Sequence, residues 1–461
     1  MRHQQHFGLK PWSVEFDGLE RLQSCRFEKT QSGNRWVRFE DDEKVTDMNR
    51  LAVCYCLLSA GLLIPWLSAA DTDQWTQWRG PSRDCKLVST AWPASLKESN
   101  LKQVFRVSLG DSYSGPIVTA DRVFVTETVG PNEIVRALDR STGAEIWKSE
   151  WAGSMSVPFF AASNGSWIRS TPAFSEGRLF VASMEDVLVC LDGNDGSTVW
   201  KKDFRKEFGT ANQSFGFVCS PLVDEGSVYV QAEAGLLKLS CETGELQWKS
   251  LTDGGGMMGG AFSSPVIATI ADTRQLVVQT RSKLAGVSLD SGEQLWSVEI
   301  PSFRGMNILT PTLFGDFVFT SSYGGGSFLF EVTRDGDTFK VNEVWKAKAE
   351  AYMSSPVVLD DGIYVHLRNQ RFVCLDKKTG EPAWTTRPFG KYWSMVANGT
   401  KTLALDERGD LLLLDLSSQE FTMVDTLHLT DQPAWAHLAV AGNQVFVRDL
   451  KGLAVYEWSA E

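Results

Sequence analysis

The stretch Ala137 to Trp147, ALDRSTGAEIW, decides the fold because it returns. Cys190 to Trp200 reads CLDGNDGSTVW, Val287 to Trp296 reads VSLDSGEQLW, and Cys374 to Trp384 reads CLDKKTGEPAW. LSCETGELQW, ending at Trp248, and the looser TRDGDTFKVNEVW, ending at Trp345, extend the series. Self-similarity at a regular period is the mark of a repeat architecture. Asp followed by Thr-Gly or Ser-Gly suits a tight turn between two strands, where glycine supplies positive φ at no steric cost. The closing Trp147, Trp200, Trp248, Trp296, Trp345 and Trp384 are expected to be structural, each docking on the neighbouring repeat with its indole N–H on a carbonyl.

A second marker precedes each phrase: Gly115-Pro116, Thr171-Pro172, Ser220-Pro221, Ser264-Pro265, Thr310-Pro311 and Ser355-Pro356. An apolar pair, a turn and a β-rich run such as SVYV follow each proline, so every repeat reads as four short strands. Such units are the blades of a β-propeller. Two more units, starting at Trp393 and Trp435, lack the proline and the closing phrase, and the last stops after three strands. Gln103 to Gly110, QVFRVSLG, is a strand without a blade of its own. Pairing it with the last unit closes the ring and removes the exposed edges of an open sheet. The prediction is an all-β, eight-bladed propeller of four-stranded antiparallel blades with docked tryptophans; seven blades is the alternative.

The 461 residues are 43% apolar and 22% charged, with 39 Gly and 16 Pro. These are ordinary globular values, which exclude disordered, collagenous and disulfide-scaffold classes. Lys and Arg total 45 against 57 Asp and Glu, a net charge of −12 with no basic cluster, so a nucleic-acid role is disfavoured. Met48 to Ala70, MNRLAVCYCLLSAGLLIPWLSAA, has the basic start, apolar run and small-residue end of a secretory signal. Residues 1–47 then read as a mis-assigned or disordered extension, with translation starting at Met48 and the exported chain near Asp71. The alternatives are a membrane anchor through residues 51–67, at the lower limit of length for a span, and a buried core helix. Residues 71–99 form a lead-in and residues 100–461 the propeller.

Five cysteines follow Ala70: Cys85, Cys190, Cys219, Cys241 and Cys374. None has zinc-ligand spacing, and Cys190 and Cys374 fall at equivalent strand positions, so free buried thiols acting as small hydrophobes are expected. No metal site is expected. Nor does any catalytic constellation emerge: there is no HExxH and no G-x-S-x-G. His366 reads as a core histidine on a strand, and the glycine runs Gly254–Gly256 and Gly324–Gly326 read as loops.

The repeated phrase A/C-L-D-x-x-T-G-x-x-x-W resembles the tryptophan-docking repeat of the pyrroloquinoline quinone (PQQ) propellers. QWRGPSRDC at Gln77 to Cys85, AWP at Ala91 to Pro93 and YSGP at Tyr113 to Pro116 look like the opening of exported PQQ-like propeller proteins. Those proteins usually carry Gly where this chain has Cys85. The resemblance covers roughly residues 74–460 and extends to the superfamily of quinoprotein dehydrogenases and the non-enzymatic BamB-like outer-membrane assembly factor. Fold alone does not choose between these activities. The alcohol dehydrogenases of that superfamily carry a disulfide between adjacent cysteines over the quinone and hold calcium with a Glu and an Asn. No Cys-Cys pair occurs after Ala70, and no calcium motif aligns.

If a ligand binds, the residues just before the first strands should ring one mouth of the axial channel. These are Tyr113, Trp167 with Arg169, Phe217, Phe262 and Asn307, then Tyr352 with Met353, Tyr392 with Trp393, and Trp435. His437 occupies the proline position of the last blade. One reading has the aromatic rings pack blades together. The other makes them a site for a small molecule or peptide, with Arg169, Asn307 and His437 as polar anchors. The function expected is a non-enzymatic binding or scaffold module of the periplasm or cell envelope, without cofactor, whose partner is an envelope protein, a peptide or a small molecule. The alternative is a dehydrogenase using PQQ with calcium.

Overall fold

The structure, a computed structural model, describes residues 73–88, 92–252 and 260–459. The readings of residues 1–47, of the apolar segment 48–70 with the start at Asp71, and of Gly254–Gly256 lie outside the described residues. Among the described residues, no helix is long and apolar enough to cross a membrane.

Eight four-stranded antiparallel sheets form the ring, as the repeat count predicts. Blade 1 runs through Ile117–Val118, Arg122–Val129, Asn132–Asp139 and Glu145–Ala152. Blades 2 to 7 repeat this order, their first strands being Ala173–Ser175, Leu222–Asp224, Val266–Ile270, Thr312–Phe314, Val357–Leu359 and Trp393–Asn398. Blade 8 combines Ala439–Ala441, Gln444–Asp449 and Gly452–Trp458 with Leu101–Ser108, which pairs antiparallel with the third of these. The expected clasp is therefore present.

Burial follows position within the blade. The third strand of blade 2, Val187–Asp192, is buried on both faces except at its end, because blades 1 and 3 cover it. The fourth strand of blade 1, Glu145–Ala152, alternates toward solvent. At the turn between the third and fourth strands of blade 1, Asp139 accepts the Thr142 N–H at 2.8 Å and the Ser141 hydroxyl at 2.6 Å, and Gly143 follows at φ 74°. This is the physical content of the D-x-x-T-G phrase: the carboxylate organises the turn and glycine takes the left-handed conformation.

A feature of the ladder explains how the tryptophans reach across. In blade 1 Ala137 faces Trp147 while Leu138 faces Glu145, so Ile146 is an extra residue on the outer strand. The same slip recurs between third and fourth strands in blades 2 to 7. Such a bulge bends the strand and re-aims the side chain after it. Trp147, Trp200, Trp248, Trp345 and Trp384 then donate to carbonyls of the next blade: Gly193, Cys241, Leu289, Lys377 and Ser417, at 2.8–3.0 Å. A Cβ at Gly196, Gly244, Gly292 or Gly380 would lie only 2.5–2.7 Å from a docked ring, so the repeat glycine also makes room for its neighbour's Trp. Trp296 departs from this pattern. In blade 5 the outer strands are ten residues each and pair as far as Asp335 and Thr338. Its indole packs with Val332 and donates instead to Gln275 Oε1 of its own blade at 2.6 Å.

Candidate functional site

At the face where the first strands begin, four of the predicted mouth residues touch one another. Tyr113 stacks on Trp435 with centroids 4.6 Å apart. Tyr392 meets Trp435 edge-on at 4.2 Å, and Trp167 meets Tyr113 at 5.2 Å. The Arg169 guanidinium lies 5.7 Å over the Tyr113 ring and donates to the Gly165 carbonyl at 2.7 Å. Burial pushes the phenols of Tyr113 and Tyr392 well up, so both keep their protons. The mouth is thus an aromatic plate with one guanidinium set against it, a combination that favours stacking and cation–π contact.

Two further patches continue the plate. Tyr352 packs on Tyr323 at 5.2 Å, Tyr323 on Phe303 at 5.8 Å, and Arg368 covers Tyr323 at 4.0 Å. On the other side Phe262 packs on Phe215 and lies under Arg281 at 4.3 Å, and Phe215 meets Phe160. Phe159 and Phe160, on the short 3-10 turn Phe159–Asn164, are 90% and 55% exposed, and Met353 is exposed too.

The remaining mouth residues sit elsewhere. Phe217 is fully buried among Phe204, Phe180 and Val230, between blades 2 and 3. Trp393 stacks on His366 and Phe372 in the core of blades 6 and 7. Asn307 is buried and its amide donates to the Arg281 carbonyl at 3.1 Å. His366 is 2% exposed, and burial pulls its pKa down to about 4, consistent with a core role.

His437 belongs to a different assembly, built from the lead-in segment. Residues 73–88 run into the axial channel and fill it. Trp75 pairs with Val118 of blade 1 through two backbone hydrogen bonds, and Thr76 accepts from Phe174 of blade 2. Gln77 both donates to and accepts from the Val223 backbone of blade 3. Arg79 Nη2 reaches the Pro356 carbonyl of blade 6 at 2.6 Å, and Arg83 reaches Pro221 and Ser220 of blade 3 at 2.7 and 3.2 Å. Cys85 and Leu87 pair with Ala397 of blade 7. The first strands present unpaired backbone toward the axis, and a buried polar backbone needs partners; this plug provides them.

Cys85 has φ 61°, the left-handed region that favours glycine. Here its sulfur accepts from Arg79 Nε at 3.0 Å and lies 3.3 Å from His437 Nε2. The His437 Nδ1–H donates to the Leu438 carbonyl at 2.7 Å, which leaves Nε2 to accept the thiol proton. Burial lowers the histidine pKa to about 4 and raises that of the thiol, so both stay neutral and the group is structural. All five described cysteines are free and buried.

The residue before each proline has a role that went unread. The Gly115 N–H donates to Thr171 Oγ1, that of Thr171 to Ser220 Oγ, that of Ser220 to Ser264 Oγ, and that of Ser264 to Thr310 Oγ1, at 2.9–3.2 Å. Blades 1 to 5 are thereby stitched together around the channel. Small hydroxyl residues at five of the six proline markers were the available signal.

Fold and site together define a class: an eight-bladed, tryptophan-docked propeller with a plugged axis and an aromatic mouth. The sequence profile of the family described as outer membrane protein assembly factor BamB matches residues 131–386, more than half of the chain. The chain belongs to that family of PQQ-repeat propellers. It is 24% identical over 264 residues to the outer membrane protein assembly factor BamB of Shewanella oneidensis, covering 54% of this chain and 64% of that protein. The Yersinia pestis protein of the same name is 22% identical over 289 residues, covering 60% and 67%. The chain thus spans about two thirds of the length of these relatives. The crystal structure of BamB from Moraxella catarrhalis aligns with a TM-score of 0.56 at 15% identity, covering 78% of this chain and 98% of that one. The quinohemoprotein alcohol dehydrogenase of Comamonas testosteroni aligns at 0.60 and 13% identity, covering 84% and 81%. At these identities the structural likenesses speak for the fold alone.

Proposed function

We propose that this propeller is a non-catalytic binding or scaffold module of the cell envelope that holds a polypeptide partner on its aromatic mouth. The observation that carries the reading is the exposed apolar set, Phe159, Phe160 and Met353, around the Tyr113–Trp435 plate. Exposed aromatics next to rigid stacked rings are the usual make-up of binding hot spots. The relatives' names, outer membrane protein assembly factors, support an envelope setting and a partner that is a protein.

The fold family also includes enzymes that use PQQ with calcium, and the residues present do not fit that group. Trp75, Arg79, Arg83 and Cys85 occupy the axis, no two described cysteines are adjacent, and the described residues include no group of three or more acids, cysteines or histidines suited to a metal. The reading is tested by placing a photo-crosslinking amino acid at position 159 and, as control, at Val199 on the outer rim, in the native host. An envelope protein crosslinked from 159 and not from 199 is expected. Equal capture from both, or none from 159, rejects the mouth as the site. Dye-linked dehydrogenase activity appearing with added PQQ and calcium would reject the non-catalytic reading.

A further inference from the structure

Away from the mouth, the plug and the first strands of blades 3 and 4 enclose a cleft of about 340 Å³. Gln77, Ser82 and Arg83 form the plug side, and Asp224, Thr269 and Arg274 line the blade side. Two guanidiniums and one carboxylate line the cleft, and a second carboxylate, Glu225, stands 3.4 Å from Arg274 Nη1. The Asp224 charge is already used, since Arg274 Nη2 sits 2.5 Å from its Oδ1. Arg83 is different. It is 3% exposed, its two terminal nitrogens donate to neutral carbonyls, and its Nε has no hydrogen-bond partner. No carboxylate among the described residues pairs with it. A buried cation without a counter-charge is costly, and an unmade donor adds to that cost. Burial, with Arg79 nearby, lowers its pKa to about 9 even though Cys219 acts the other way.

We propose that this cleft binds a small oxyanion, a carboxylate or a phosphate, whose charge complements Arg83. The volume suits a compact anion of a few carbon atoms, and Ser82 and Thr269 offer hydroxyls for its remaining oxygens. The proposal does not rest on the partner surface, which lies at the mouth.

The test is the melting midpoint of the purified protein titrated with sodium phosphate and, separately, sodium succinate, at ionic strength held constant with sodium chloride. A saturable rise with at least one anion is expected, because a ligand that binds only the native state stabilises it. Phosphate alone active assigns a phosphate ester as the natural ligand; succinate alone active assigns a carboxylate. Arg83→Gln should abolish the rise. Because that change also removes plug contacts, Thr269→Trp serves as the second variant: Thr269 is exposed, so the fold should tolerate a bulky ring that fills the cleft, and affinity should fall by at least about tenfold. No saturable rise with either anion, or an undiminished rise in Thr269→Trp, overturns the proposal.

Discussion

The ring of Phe105 lies directly on Gly143: a Cβ there would stand 2.5 Å from the phenyl Cδ2. Phe105 follows an extra residue, Val104, in its pairing with blade 8, as Trp147 follows Ile146 in blade 1. It is therefore the docking residue of the eighth blade, contributed from the N-terminal side of the ring and carried by a phenyl instead of an indole.

Removing that ring should loosen the closure. Phe105 is half-buried, so Phe105→Ala should cost about 2–3 kcal/mol, somewhat below the 3–5 of a fully buried Phe. Phe105→Trp should be tolerated, because the same position holds Trp in other blades. Denaturant unfolding of both variants checks this; equal losses would show that the position does not dock.

Trp296 and Trp248 should respond differently to losing the indole N–H. Gln275 is fully buried and its Oε1 has Trp296 as partner, so Trp296→Phe leaves a buried acceptor unmet, at about 1–3 kcal/mol. The Leu289 carbonyl that Trp248 uses also accepts from Lys238 Nζ at 2.9 Å. Trp248→Phe should therefore cost under about 1 kcal/mol, a surface-like value. Unfolding midpoints of the two variants measured side by side provide the check.

The ring was legible because each blade repeats the same local problem. A tight turn, a third strand covered on both faces and one large ring for the next blade leave the same letters at the same spacing, and the count of eight followed. The bulge before each Trp was not legible, since Ile146 differs in kind from its neighbours only through its pairing. The plug was hidden for a related reason. Gln77 and Arg83 serve blade 3, Arg79 blade 6 and Cys85 blade 7, so no periodicity betrays them, although the whole QWRGPSRDC phrase stood out. At the mouth, position in the repeat brought Tyr113, Trp167, Arg169, Tyr392 and Trp435 together. It misplaced Phe217 and Trp393 relative to the surface because one step along the chain at a strand start turns a side chain from the channel into the blade interface.

Stability should depend on pH through Glu133. This carboxyl is fully buried, accepting from the Met184 N–H at 2.8 Å and the Trp151 indole at 3.0 Å, and burial raises its pKa to about 7. In the unfolded chain a Glu titrates near 4.3. Between these values the folded state holds the extra proton, so stability falls as pH rises from about 4.3 through 7. Asp186, raised by burial to about 6, acts in the same direction over the lower part of that window. Glu133→Gln should flatten the decline above about pH 6 and reduce it by about half below, where Asp186 still titrates. Urea midpoints at half-unit pH steps measure it, and an unchanged profile would place the titration elsewhere.

The two kinds of aromatic at the mouth make opposite predictions. Trp435 is clamped between Tyr113 at 4.6 Å and Tyr392 at 4.2 Å, so Trp435→Ala removes the centre of the plate and should lower stability together with any binding. Phe159 is 90% exposed on a turn with no buried residue, so Phe159→Ser removes almost no native packing. It should change the melting midpoint by no more than an ordinary surface substitution, within about 0.5 kcal/mol. If the mouth holds a partner, the same variant should weaken capture at least about tenfold, the loss typical of truncating an aromatic hot spot. Titration of the crosslink-identified partner against wild type, Phe159→Ser and Trp435→Ala separates the effects. Unaltered affinity in Phe159→Ser, with affinity and stability falling together in Trp435→Ala, would make the plate a piece of blade packing and leave the partner to be sought on another face.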